Sequence, residues 1–244
     1  MLRRPLLFFS LLVLALTSAC RDDDDPITMR PEPEPAVADT VRYLALGDSY
    51  TIGTGVEFDQ NWPNQLGRAL ERRKDSLTVL NDFTAANGLR TDDLQRAIAR
   101  NRASGRIAPP YDLVSLLIGV NDQYQGFGVD GYRIRFRQLL ETATQLAGGR
   151  PRRTFVVSIA DYSYALDPDG TDRSTTAQLA EFDAAAAAIA DSLGVPFFNV
   201  TDISYEARTD RSLVAGDGLH PSAQQYRRWV REILLDGVAD LLAD

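Results

Sequence analysis

The sequence predicts an α/β fold of three layers, α/β/α, in which a five-stranded parallel sheet lies between two sets of helices. Two observations carry this. Short apolar runs of strand length alternate five times with segments whose apolar residues recur three and four apart. The 206 residues from Asp39 to Asp244 that hold this pattern suit one domain with one core. Strands joined through helices in this order pair in parallel, and right-handed crossovers cover both faces of the sheet.

Residues 1–38 stand outside the pattern. The basic start MLRR is followed by PLLFFSLLVLALTSA, 15 residues ending in small side chains. That is the form of an export signal, and it is short for a membrane span, which needs roughly 20 residues. Cys20, the only cysteine, follows at once. With Leu16, Thr17, Ser18 and Ala19 before it, Cys20 resembles the lipidation site of bacterial lipoproteins, although the leucine stands four residues before the cysteine instead of three. An ordinary secretory leader with an incidental cysteine is the alternative. Residues 1–19 are thus expected to be a lipoprotein signal peptide, and residues 20–38 a lipidated cysteine and its tether. The stretch RDDDDPITMRPEPEPAVA has four prolines and no aromatic residue, so it cannot bury enough apolar surface to fold. Fully extended, it reaches about 60 Å. Its acidic run resembles the surface-export signal of lipoproteins in Bacteroidota-type bacteria; a solvated spacer is the plainer reading. The expectation is an exported chain held in the cell envelope through its N-terminal lipid alone, with the outer-membrane surface as one destination.

Within the domain, residues 39–244, the strands are VRYLAL from Val41, LTVLNDF from Leu77, DLVSLLIG from Asp112, TFVVSI from Thr154 and PFFNV from Pro196. Helical periodicity marks the segments that begin at Trp62, Thr91, Gly131 and Thr175. The alanine run Ala184 to Ala188 in the last of these reads as a close-packed helix face. A final helix follows HPS: Ser222 and Gln225 have capping-box spacing, and Pro221 keeps His220 in extended chain outside the helix start.

Charge and cysteine content exclude several classes of function. The chain carries 26 basic and 34 acidic residues, and loss of Arg3 and Arg4 with the leader leaves a net of −10. Such a chain, its basic residues scattered, is poorly suited to neutralising phosphate backbones, so no nucleic-acid partner is expected. A lone cysteine forms no internal disulfide. One histidine and scattered carboxylates make a poor ligand set, so neither metal nor cofactor is expected. The chain is expected to be monomeric.

In an open parallel sheet, ligands bind where loops leave the carboxyl ends of the strands. Those loops carry Ser49 in GDSYTIG, Gly88 in AANGLRT, Asn121 in GVND, and Asp217 with His220 in AGDGLHPS. Each has a bland reading, since Gly, Asp, Asn and Ser all favour turns and a lone histidine is usually structural. Together they have the residue types of nucleophilic catalysis. A serine needs a base to take its proton, and the base needs a carboxylate to fix its tautomer. Asp217 and His220, three residues apart in one loop, suit that second contact. An oxyanion needs prepared donors, for which the Ser49 and Gly88 amides and the Asn121 side chain are the natural set. Asp48 and Asp122 beside the site read as loop-holding residues. No Gly-Lys-Ser/Thr follows the glycines after the first strand, and no Gly-x-Ser-x-Gly elbow is present, which argues against a phosphate cradle and an α/β-hydrolase.

Taken in order, GDSYTIG, NGLRT, GVND and DGLHPS resemble the blocks of the SGNH, or GDSL, hydrolase family. The resemblance implies the flavodoxin-like fold of that family and a serine esterase acting through an acyl-enzyme. It implies Ser49 as nucleophile, Gly88 and Asn121 with the Ser49 amide as oxyanion donors, and Asp217 and His220 as the rest of the triad. The expected partner is a small-molecule or saccharide ester, with acetylated saccharides first and lysophospholipids as the alternative. A tethered binding protein on the same fold is the nonenzymatic alternative. Tyr124, Phe127, Tyr132, Tyr162 and Tyr164 are expected at the active edge, where they stack on substrate or simply pack their loops.

Overall fold

The computed structural model describes residues 39–167 and 169–243. Residues 1–38, where a signal peptide, a lipidated Cys20 and a tether are expected, lie outside the described residues. In chain order the first half consists of β1 (Asp39–Gly47), α1 (Ser49–Ile52), α2 (Trp62–Arg73), β2 (Leu77–Ala85), α3 (Thr91–Ala103), β3 (Leu113–Leu117) and α4 (Val120–Tyr124). Then come α5 (Val129–Leu146), β4 (Thr154–Val157), α6 (Ser163–Leu166), α7 (Ser174–Ser192), β5 (Phe197–Phe198) and α8 (Thr201–Tyr205). A π-helical stretch, Trp229–Leu234, joins α9 (Ala223–Arg228) to α10 (Leu235–Ala243).

All five strands pair in parallel, in the order β2-β1-β3-β4-β5. This is the flavodoxin-like order, whose switch point lies between β1 and β3. The register aligns the strand ends: Gly47 pairs with Ala85 on one side and Leu117 on the other. The loops that follow these three residues therefore leave one edge of the sheet side by side. Gly47 is needed there, because a Cβ would lie 2.5 Å from the Leu117 carbonyl and 2.1 Å from Thr51 Oγ1.

The central strands β3 and β4 are buried on both faces. Leu113 to Leu117 and Thr154 to Val157 are buried throughout, as an apolar run between two helix layers requires. One layer has α3, α5 and α7 side by side; the other has α2 against the C-terminal helix. Ala185 and Ala186 of the alanine run are buried where α7 packs on α5. A buried hydrogen bond of 2.8 Å between Tyr43 Oη and Ser115 Oγ satisfies the polar atoms between β1 and β3.

Three expectations need correction. The fifth strand is only two residues long, because Asn199 Oδ1 accepts from the Thr201 amide at 2.8 Å and turns the chain into α8. The capping box at Ser222 is half formed. Ser222 Oγ accepts from the Gln225 amide at 3.2 Å, but the Ser222 N–H is taken by the Leu213 carbonyl, to which the Gln225 side chain also donates. The last helix is not uniformly α. Tyr226, Val230, Leu234 and Val238 are buried at a strict four-residue spacing, which in an α-helix drifts by about 40° per step. The wider π turn takes up that drift and keeps all four facing the core.

Candidate active site

Ser49 opens a single helical turn at the end of β1. Asp48 caps that turn, its Oδ1 accepting from the Tyr50 amide at 3.0 Å, and Gly53 closes it at φ +84°. Ser49 is 7% exposed, and Asp48 is fully buried. Burial pushes the Asp48 carboxyl up to about 7, against the Tyr50 N–H and with help from nearby Asp122. As expected from the sequence, Asp48 holds the loop.

The loops after β2 and β3 are tied together. Asn121 Nδ2 donates to the Leu89 carbonyl at 3.0 Å. The next residue, Asp122, accepts from the Thr91 amide at 2.9 Å, from Thr91 Oγ1 at 2.8 Å and from Arg135 at 3.3 Å. Asn121 keeps its second amide hydrogen for another acceptor. Gly88 turns at φ +76°, and a Cβ there would meet nothing within 4 Å. Gly119 is more constrained: at φ +132° a Cβ would lie 2.9 Å from both Ile159 and Tyr132.

The histidine loop is a closed clasp. A bridge between Val214 and Pro221 and the Ala215 N–H to His220 carbonyl bond of 2.8 Å pin its ends. Asp217 Oδ1 accepts from the Leu219 and His220 amides, each at 3.0 Å, while Oδ2 lies 2.7 Å from His220 Nδ1. Burial works to raise the Asp217 pKa, but the two amides and the imidazole outweigh it and hold the carboxyl below its ordinary value. With Nδ1 bonded to a carboxylate, Nε2 is the ring nitrogen left to act as base. Tyr50 sets its ring edge-on to the imidazole, centroids 5.6 Å apart, and Tyr164 Oη donates to the Leu219 carbonyl at 2.6 Å.

Ser49, Gly88, Asn121 and His220 line one cavity of about 300 Å³, and Asp217 stands behind His220. Every residue singled out for chemistry in the domain is thus brought to one place. The aromatic expectations divide. Tyr124 and Tyr162 line the cavity in edge contact, with Tyr124 67% exposed. Tyr132 reaches the active edge from inside: its ring is buried between Phe136 and Phe182 on the core face of α5, and its Oη donates at 3.2 Å to the Ile118 carbonyl in the loop after β3, so it packs that loop and does not line the cavity. Phe127 lies under the guanidinium groups of Arg90 and Arg135. Tyr164 is buried behind the histidine loop.

Sequence reasoning missed Tyr50, Leu166 and Leu219 on the cavity wall. It also missed Gly55, where a Cβ would meet Ala215 at 2.8 Å and Asp217 Oδ2 at 3.0 Å. The only available signal for Gly55 was its place in the glycine-rich stretch after Ser49.

The sequence profile of the GDSL-like lipase/acylhydrolase family matches residues 45–228. No curated protein matches the chain by sequence. Among solved structures, the psychrotrophic esterase EstA from a Pseudoalteromonas species is 18% identical, with TM-score 0.59, over 84% of this chain and 100% of that one. A variant of Axe2, an acetyl xylan esterase from Geobacillus stearothermophilus, is 17% identical, with TM-score 0.62, over 81% and 94%. A member of the lipolytic G-D-S-L family from Veillonella parvula is 19% identical, with TM-score 0.55, over 83% and 97%. At these identities the structures speak for the fold. The profile spans all four sequence blocks, and the chain belongs to the GDSL-like lipase/acylhydrolase family.

Proposed function

We propose that this esterase hydrolyses carboxylic esters through an acyl-enzyme on Ser49, with short acyl groups such as acetyl on saccharides as its substrates. The observation that carries the mechanism is the 2.7 Å contact between Asp217 and His220 in the cavity that Ser49 lines. Ser49 Oγ attacks the ester carbonyl while His220 Nε2 takes its proton, and ionised Asp217 stabilises the resulting imidazolium. The Ser49 and Gly88 amides and Asn121 Nδ2 receive the oxyanion. His220 then returns the proton to the leaving alcohol, and water repeats the sequence on the acyl-enzyme.

Cavity size and rim support the substrate reading. About 300 Å³ accommodates a small acyl group, and exposed Tyr124 beside Tyr162 offers a sugar ring an aromatic face. Leu166 and Leu219, 57% and 38% exposed at the same cavity, favour the lysophospholipid alternative. The test compares kcat/KM on acetyl, butyryl and decanoyl esters, an acetylated xylo-oligosaccharide and a lysophospholipid. Each methylene buried would add about 0.8 kcal/mol, so a monotonic rise with acyl length overturns the short-acyl reading. So does a tenfold preference for lysophospholipid. A zero on every ester would revive the binding-protein alternative.

For location, the proposal is an exported lipoprotein held through Cys20, supported by the order of leader, cysteine and tether in the sequence. Cys20→Ala should release the mature chain from the membrane fraction. Unmodified Cys20 in a membrane-free wild type would overturn it.

A further inference from the structure

Away from the active site, α2 packs against α9 and the π turn, leaving between them a surface groove of about 290 Å³. Arg68 and Arg72 line one wall, four residues apart on α2; Arg227 and Arg231, also four apart, line the other. Ala69 and Val230 complete the lining between them, and Gln65 bridges the two sides by donating to the Gln60 and Ala223 carbonyls at 2.6 and 3.0 Å. The groove's geometry is therefore fixed by the fold and not by its cations.

Four like charges in one groove oppose folding, because each i,i+4 pair repels. In a chain of net charge −8, carboxylates are plentiful. Elsewhere they are used: Arg73, Arg90, Arg96, Arg135, Arg208 and Arg228 each form an ion pair. No carboxylate lines the groove. Arg68 donates to the Asp59 backbone carbonyl, and among the described residues none of the four arginines forms an ion pair. The nearby acids lie outside the groove: Glu71, which accepts from the Val79 amide on β2, and Asp75 share a separate hollow with Arg68 and Arg72, and Glu232, within the electrostatic reach of Arg231, is held by Arg228. Planar guanidinium forks from two walls suit the oxygens of a tetrahedral phosphate, where each can bond two at once.

We propose that this groove is a second binding site, for an anion bearing one or two phosphate groups. The anion is either a free phosphorylated solute or a phospholipid headgroup, and the chemistry of recognition is the same. The site is independent of ester hydrolysis, since none of its residues lines the catalytic cavity.

The test uses Cys20→Ala protein, so that no lipid anchor contributes. Pyrophosphate binding is measured by calorimetry at constant ionic strength, and vesicle binding by flotation with phosphatidylglycerol in phosphatidylcholine against phosphatidylcholine alone. Arg72→Gln/Arg227→Gln should weaken binding at least tenfold and leave ester turnover at its starting value. Arg100→Gln/Arg106→Gln, which removes the same charge outside the groove, should leave binding intact. Pyrophosphate binding assigns a free ligand, and binding to anionic vesicles alone assigns a headgroup; either supports the site. Equal binding by the groove variant and its parent, equal loss in the two double variants, or no binding to either probe overturns it.

Discussion

The buried carboxyl of Asp48, adjacent to Ser49, should make the stability of this protein fall as pH rises through neutrality. Asp48 is fully buried, one of its oxygens has no hydrogen-bond partner, and its value of about 7 compares with 3.8 for a free side chain. The folded protein therefore binds the Asp48 proton more tightly than the unfolded chain does. Its contribution is complete below about pH 4, declines between there and neutrality, and is lost above about pH 7. From pH 6 to pH 8 a group with a folded value near 7 changes stability by about 1.4 kcal/mol, a tenfold change in the folding equilibrium. Asp48→Asn keeps an acceptor for the Tyr50 amide and removes the titration. Urea unfolding can be followed by tryptophan fluorescence, because Trp62 and Trp229 are both fully buried. The wild type should lose about 1.4 kcal/mol relative to the variant between pH 6 and pH 8. A difference that stays flat over this range, or a variant that weakens more steeply than the wild type, would show that Asp48 does not bind its proton more tightly in the folded protein.

If, as proposed, the second amide hydrogen of Asn121 serves the oxyanion, Asn121→Ala should lower kcat roughly 10² to 10³-fold with KM little changed; steady-state kinetics on an acetyl ester checks this. Gly55→Ala should destabilise the fold by about 1–3 kcal/mol, because it combines φ +88° with a Cβ driven against Ala215 and Asp217. Urea titration measures that loss, and a fall in kcat beyond the loss of folded enzyme would report displacement of Asp217.

What the sequence revealed depended on whether the signal was local. Buried strands such as Leu113 to Leu117 are apolar but for Ser115, and Asp217 and His220 form their contact within one loop, so both are legible. The edge strand β5 was overestimated because apolar runs do not record where a side chain such as Asn199 diverts the backbone. For Tyr132 the helical register decides between the two expected roles: it shares a buried face with Phe136, Leu139, Leu140 and Ala143, and so packs the loop after β3 from inside. The contacts of Gly55 with Asp217, Tyr50 with His220 and Tyr164 with Leu219 join segments distant in the chain. Nothing in the local pattern of either partner encodes them. The burial of Asp48, and hence its titration, is likewise a property of the assembled core.

In the proposed mechanism Ser49 Oγ is the nucleophile that carries the acyl group, and covalent labelling can identify it. A p-nitrophenyl alkylphosphonate presents a tetrahedral centre that an activated serine attacks, forming an oxygen–phosphorus bond and releasing nitrophenolate. Mass spectrometry of the labelled, digested protein should find one phosphonyl group per chain, on the peptide that contains Ser49, with ester turnover lost in proportion to labelling. Ser49→Ala should take up no label. Stoichiometric labelling of a different residue, or full labelling of Ser49 with turnover intact, would rule Ser49 out as the nucleophile.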